Sequence, residues 1–361
     1  MKDDKKKRRK RRKRRINIIV TLLIILILIV AGIASAGIFY KDSIKAVSKE
    51  SEEVTVKIES GMGAYQVLDK LDESGLIKNK AAAKLYIKLN HINNAQANTY
   101  ILNKTMSLKE IFEILENPSE ENILILKFTV KDGNTIPEVA KVAASILNIT
   151  EEEVIAKWAD PAYLQTLIDN YWFIDESILN GDIMYPLEGY LYPETYFVAE
   201  AEPTVESITK YALDMMDVKL TPYRDAITNL GWNAHKFLSF VSVVERESLF
   251  DEDRPKIAGV FMNRLAEGMK LQSDITVNYA WQRTGVDVSY DHLEIDSKYN
   301  TYKYEGLPAG PISTVSEKTM NDCINYDKND YLFFFAKEDG TVIYSATLEE
   351  HDKAVEENKW Y

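Results

Sequence analysis

The chain has 361 residues, a formal net charge of −12 and one cysteine. Its first 15 residues alone carry +10, so the rest carries −22, a surface that repels nucleic-acid phosphate. Cys323 by itself excludes an intrachain disulfide, and four scattered histidines offer no zinc-ligand spacing.

Residues 5–15 are all Lys or Arg, and residues 16–40 follow without a charge until Lys41. Roughly 20 apolar residues cross a bilayer as a helix, and basic flanks stay on the cytoplasmic side. Residues 1–15 therefore read as a cytoplasmic tail, 16–40 as a transmembrane helix and 41–53 as a short stalk, with everything beyond Lys41 outside the cytoplasm. A cleaved signal peptide has an apolar region of about 7–15 residues. This stretch is longer, although Ala34-Ser35-Ala36 resembles a small-residue cleavage site.

Val54-Thr55-Val56-Lys57-Ile58 alternates like a half-buried strand. A turn at Gly61 and a helix over 64–74 follow. The pattern returns 72 residues later: a strand at 128–130, a turn at Gly133 and a helix over 136–147, aligning Ile58 with Val130 and Val67 with Val139. The first copy continues with a helix over 81–89, a strand over 99–102 and a helix over 107–116. Residues 54–118 resemble a LysM-like α+β module, a class that binds N-acetylated glycan. The same pattern suits a structural spacer.

Residues 150–235 are richer in helical pattern and hold Trp158 and Trp172 as core candidates. Residues 185–197 (YPLEGYLYPETYF) combine two prolines, a glycine and four tyrosines, which predicts a structured loop. Such aromatics either stack on sugar faces or pack in a core.

Residues 237–250 (FLSFVSVVERESLF) read as a buried helix. At about 100° per residue, Phe237, Phe240, Val241, Val243 and Val244 fill one arc, and Ser239, Ser242 and Arg246 fall opposite. Glu245 and Glu247 sit at the two edges of the apolar arc, about 160° apart, so they do not serve one site as a pair. A carboxyl on an apolar face holds its proton to higher pH and suits general acid catalysis. The alternative is a helix-end glutamate paired with Arg246, Arg254 or Arg264. Downstream, NRL, GMKLQSD, YNTY and GLPAGPI gather amide, hydroxyl and phenol groups. The last of these is rigid and irregular, and residues 332–345 read as a hairpin. No Gly-x-Ser-x-Gly, phosphate loop or dinucleotide fingerprint occurs.

Together VVERES, NRL..GM.LQSD.TV.Y, YNTY...GLP.GPI and the late aromatic hairpin resemble the YceG-like family, from the anchor nearly to the last residue. The resemblance implies an α+β fold: a single N-terminal transmembrane helix, a small LysM-like α+β module, and a larger α+β catalytic domain over 119–361. It implies a bacterial lytic transglycosylase, a cell-membrane lyase of cell wall biogenesis that works without metal or cofactor. Glycan strands and the membrane are implied partners, with peptidoglycan synthases of elongation or division beside them. Glu247 matches the family's catalytic glutamate, and Glu245 and Ser248 support it. Gln272, Asp274, Thr276, Asn300 and Tyr302, with Tyr190 of the aromatic loop, match its substrate-binding segments. Ile275, Ala309 and Thr314-Val315-Ser316 depart from the family pattern, which puts loop shape and glycan preference in question. Two other readings remain: a hydrolase in which Asp274 activates water, and a non-catalytic wall-binding scaffold for the synthases.

Overall fold

A computed structural model describes residues 2–93, 95–200, 202–248, 250–282 and 290–358, with side chains from residue 20 onward except at 290 and 291. The chain divides into two compact units, Met1–Ile125 with Ala199–Glu202, and Leu126–Val198 with Pro203–Tyr361.

The first unit opens with one continuous helix, α1 (Lys2–Ser43). Its segment Val20–Ser43 is long and apolar enough to cross a membrane by length and composition. From residue 20 to 39 every side chain of that segment is exposed, Ile27 at 64% and Ile33 at 68%. Beyond it come β1 (Glu53–Ile58), α2 (Ala64–Glu73), α3 (Lys80–Asn90), β2 (Asn98–Asn103) and α4 (Leu108–Glu116). The strands pair antiparallel, Val56 opposite Tyr100 and Ile58 opposite Asn98. Alternation along β1 sends Val56 and Ile58 inward, where Leu68 and Leu71 of α2, Ile87 of α3 and Ile111 of α4 close a small core. Ser107 and Glu110 form a capping box that starts α4.

Residues 41–53 are not a free stalk. Ile44 packs against this core, its carbonyl accepts the Leu108 N–H at 3.1 Å, and Asp42 pairs with Lys78 at 2.7 Å. An apolar side chain and backbone groups that find partners on the unit hold the segment down.

The second unit contains β3 (Leu126–Thr129), α5 (Ile136–Leu147), α6 (Glu151–Trp158), α7 (Pro161–Asn170), β4 (Thr195–Val198), α8 (Val205–Leu220) and α9 (Arg224–Asn229). Then follow α10 (Ala234–Glu247), α11 (Arg254–Ala266), α12 (Asp274–Ala280), α13 (Glu317–Ile324), the hairpin β5 (Phe333–Ala336) with β6 (Val342–Ser345), and α14 (Leu348–Asn358). The expected strand–turn–helix repeat is present, and Gly61 and Gly133 both turn at positive φ, 83° and 70°. The copies differ in strand partner. β1 pairs with β2, whereas β3 pairs antiparallel with β4. That pairing corrects the aromatic segment: residues 195–197, expected in a loop, belong to β4 because β3 offers them a backbone partner.

α10 runs through the core of this unit. From Ala234 to Glu245 every residue is buried except Lys236. Ser239 and Ser242, expected on an outer face, are therefore inside. Burying a hydroxyl is tolerated when it is bonded. Ser239 donates to the His235 carbonyl at 2.7 Å, and Ser242 donates to the Ser239 carbonyl while accepting from Ile312 N–H at 3.0 Å. The last of these bonds fixes the GLPAGPI loop to the helix.

Candidate active site

α10 ends at Glu247, beside a cleft of about 440 Å³. Gln272, Asp274, Tyr302 and Arg264 share the cleft with it, and Phe333–Phe335, Leu348 and His351 line another side. The Ser273 hydroxyl donates to the Glu247 carboxyl. The Tyr302 phenol donates to Asp274 at 2.5 Å. Burial first, and the neighbouring Asp274 charge, push the Glu247 carboxyl up to about 7, against the Ser273 hydrogen bond and the Arg264 charge, which pull it down. The carbonyls at a helix C-terminus also disfavour a negative charge there. The result is a carboxyl that holds its proton to near neutrality and opens to the cleft.

The polar frame around it is built from the clustered motifs. Arg264 is clasped by backbone carbonyls, Leu332 at 2.5 Å, Leu271 at 2.8 Å and Lys270 at 3.1 Å, so its guanidinium is held in place at the cleft wall. Gln272 adopts a left-handed conformation, φ 53°, unusual for a side-chain-bearing residue, and its N–H bonds the Thr301 carbonyl. Thr276 bonds Thr301 at 2.8 Å and the Ser273 carbonyl at 2.7 Å. Asn300 donates to the Leu293 and Ile295 carbonyls and accepts from the Tyr302 N–H at 3.0 Å. Thr276 and Asn300 are fully buried and knit the LQSD and YNTY segments together rather than facing the cleft.

Glu245 points elsewhere, as its angle on the helix implied. It accepts from Ser316 N–H at 3.0 Å and the Ser316 hydroxyl at 2.9 Å, and lies 3.4 Å from Arg254. Of the arginines weighed as partners, Arg254 is the one that pairs with this segment, and it pairs with Glu245. Ser316 also caps α13 through Thr319 N–H, so one departure from the family pattern supplies a hydroxyl that ties α10 to α13. Ser248 caps the end of α10, and its buried hydroxyl has no partner among the described residues.

Tyr190 does not line the cleft. It is fully buried, and its hydroxyl lies 2.8 Å from His235 Nδ1. His235 Nε2 lies 2.9 Å from the Ala309 carbonyl, which only accepts, so Nε2 carries the proton and Tyr190 donates to Nδ1. Burial lowers the His235 pKa, consistent with this neutral tautomer. The aromatic loop thus packs. A second buried group in it is Glu188, which accepts from Ile136 N–H at 3.0 Å and Tyr279 hydroxyl at 3.0 Å; burial pushes it up to about 8.

Ser273 was not singled out in the sequence, and Arg264 was weighed only as an ion-pair partner of a helix-end glutamate. Ser273 stands between Gln272 and Asp274 inside the quoted motif, and Arg264 stands in NRL; that was the available signal.

The YceG-like family profile matches residues 56–357. The chain belongs to the YceG-like family. This YceG-like chain is 34% identical over 326 residues to a Bacillus subtilis protein named endolytic murein transglycosylase, a match covering 90% of each chain. A Streptococcus pneumoniae protein of the same name is 31% identical over 334 residues, covering 88% of this chain and 60% of that one. The crystal structure of a yceG-like protein from Listeria monocytogenes aligns with a TM-score of 0.62 at 34% identity, covering 84% of this chain and 100% of that one.

Proposed function

We propose that this YceG-like chain is a membrane-anchored, endolytic lytic transglycosylase of peptidoglycan. It cuts between N-acetylmuramic acid and N-acetylglucosamine and leaves a 1,6-anhydro-muramyl end. The observation that carries the reading is a cleft carboxyl, Glu247, pushed up to about 7 by burial beside Gln272, Asp274, Arg264 and Tyr302. The similarity to relatives named endolytic murein transglycosylase supports the substrate.

Protonated Glu247 gives its proton to the glycosidic oxygen as the bond to the muramyl C1 breaks. Asp274 places negative charge beside the oxocarbenium-like centre. Glu247, now a carboxylate, takes the proton of the muramyl 6-hydroxyl as O6 bonds C1. The carboxyl is restored, no water is consumed and one residue serves both steps. Ser273 orients the carboxyl; Gln272 and Arg264 present donors to hydroxyl and acetamido groups, and Tyr302, whose proton goes to Asp274, presents an acceptor oxygen. Glu245, Thr276 and Asn300 hold the frame.

A second reading rests on Asp274 sharing the cleft: paired carboxylates also hydrolyse glycosides, with one activating water. Mass spectrometry of products from purified glycan strands separates the two. Anhydro ends sustain the proposal, reducing ends favour hydrolysis, and no cleavage favours a wall-binding scaffold.

The anchor reading places the basic tail in the cytoplasm and residues beyond Lys41 outside. In this position the enzyme terminates growing strands beside elongation or division synthases, and the LysM-like first unit adds glycan affinity. Protease added to intact, wall-stripped cells tests the topology: complete protection of the outer part refutes it.

A further inference from the structure

The first unit breaks sharply with the acidic character of the chain. Residues 74–109 contain six lysines and no Asp or Glu, although Asp and Glu number 56 overall. Four of these lysines lie at 78–88, in and just before α3.

The helix sorts them. Lys78 pairs with Asp42, and Lys80 with Asp69 and Asp72. Lys84 and Lys88 have no carboxylate within ion-pair distance among the described residues. α3 buries Ala82, Ala83 and Ile87. Its outer stripe is Ala81, Lys84, Leu85, Lys88 and Leu89, the spacing of one helix face. Leu85 is 46% exposed and Leu89 59%. Two leucines beside two free lysines make a stripe that inserts apolar tips while the ammonium groups reach outward along their stems.

The place of α3 says what meets this stripe. Lys78 pairs with Asp42 at 2.7 Å, and α3 packs against α1. From residue 20 to 39 α1 is exposed, and it meets the unit at residues 40–43. α3, which follows directly on Lys78, therefore sits at the outer end of α1. With α1 through a bilayer, a helix at that end lies at the level of the headgroups.

We propose that α3 docks on the outer surface of the membrane through Leu85 and Leu89, with Lys84 and Lys88 on anionic phospholipid headgroups. This contact, additional to the transmembrane anchor on which it rests, fixes the first unit at the bilayer surface. It is independent of the catalytic reading.

Cys323 is buried, so Leu89→Cys gives the full chain one accessible thiol for an environment-sensitive fluorophore. The labelled chain is reconstituted in vesicles of phosphatidylglycerol or phosphatidylcholine carrying brominated acyl chains, with aqueous iodide as the opposing quencher. Flotation with the vesicles reports insertion of α1 separately. In phosphatidylglycerol, bromine quenches the label and iodide loses access. Lys84→Ala with Lys88→Ala weakens docking about 30-fold, at roughly 1 kcal/mol per lysine. If the chain floats but iodide quenches the label freely and bromine does not, the proposal is overturned. Shielding from iodide without bromine quenching means that protein covers the stripe, and overturns it too. Equal bromine quenching in phosphatidylcholine and in the lysine double variant removes the headgroup role and refutes the proposal as stated.

Discussion

Glu247→Gln separates the chemistry of the site from its stability. The amide keeps the volume and accepts the Ser273 hydrogen bond, but it has no proton to give. General acid–base catalysis is worth roughly 100- to 10,000-fold, or about 3–5 kcal/mol of barrier, so strand cleavage should fall by that factor. Stability moves the other way. The carboxyl rises from 4.5 to about 7 on folding. A raised carboxyl pKa contributes stability that is complete below the unfolded value and lost as pH rises through the folded one. Ionised Glu247 therefore costs the fold up to about 3 kcal/mol above pH 7 at roughly 1.4 kcal/mol per unit, and about 1–3 once solvent in the open cleft is allowed for. The glutamine variant should match the wild type near pH 4 and exceed it in denaturant resistance at pH 8, while releasing no anhydro-muramyl product above background. The assays are chemical denaturation at both pH values and product mass spectrometry on one glycan preparation. A variant that cleaves at the wild-type rate refutes Glu247 as the acid. An inactive variant whose stability relative to wild type is the same at pH 4 and pH 8 refutes the buried-carboxyl argument.

The wild-type rate should fall as pH rises through about 7, because the acid must begin protonated; a rate that is flat from pH 5 to 9 would contradict this. Ser273→Ala removes the bond that holds Glu247 down, so the alkaline limb of the pH–rate profile should move upward with only a partial loss of rate. Ser316→Gly should cost about 1–2 kcal/mol in unfolding free energy, from a lost helix cap and a lost bond to Glu245, with the alkaline limb of the profile unmoved. Glu188, pushed up to about 8, stabilises while protonated, so the wild-type melting temperature should drop between pH 7 and 9; Glu188→Gln should flatten that drop.

Local patterning made much of the fold legible. The α5 helix was expected over 136–147 from the repeated pattern and spans Ile136–Leu147; in the structure a capping box of Thr135 and Glu138, with Pro137 in the first turn, starts it there. α3, α4 and the late hairpin were read by the same means. β4 was not, since a four-residue strand depends on β3, 66 or more positions away, to complete its hydrogen bonds. The inward turn of Ser239 and Ser242 was likewise invisible. Whether a hydroxyl lies in or out depends on what packs against that face, and here it is the Ile312 loop.

The site shows the same division. Helical geometry set Glu245 and Glu247 on different sides of α10, and the folded chain gives them different partners, Ser316 and Arg254 for one and Ser273 for the other. The resemblance to the YceG-like family brought Gln272, Asp274 and Tyr302 to that glutamate. What only the tertiary structure decided is which polar residues face the cleft and which brace it. Tyr190, Thr276 and Asn300 have the chemistry to bind sugar, yet their bonds are consumed inside the protein. Sequence specifies what a side chain offers. The long-range contacts that bury it or leave it open determine whether a substrate meets that offer, and no local pattern encodes them.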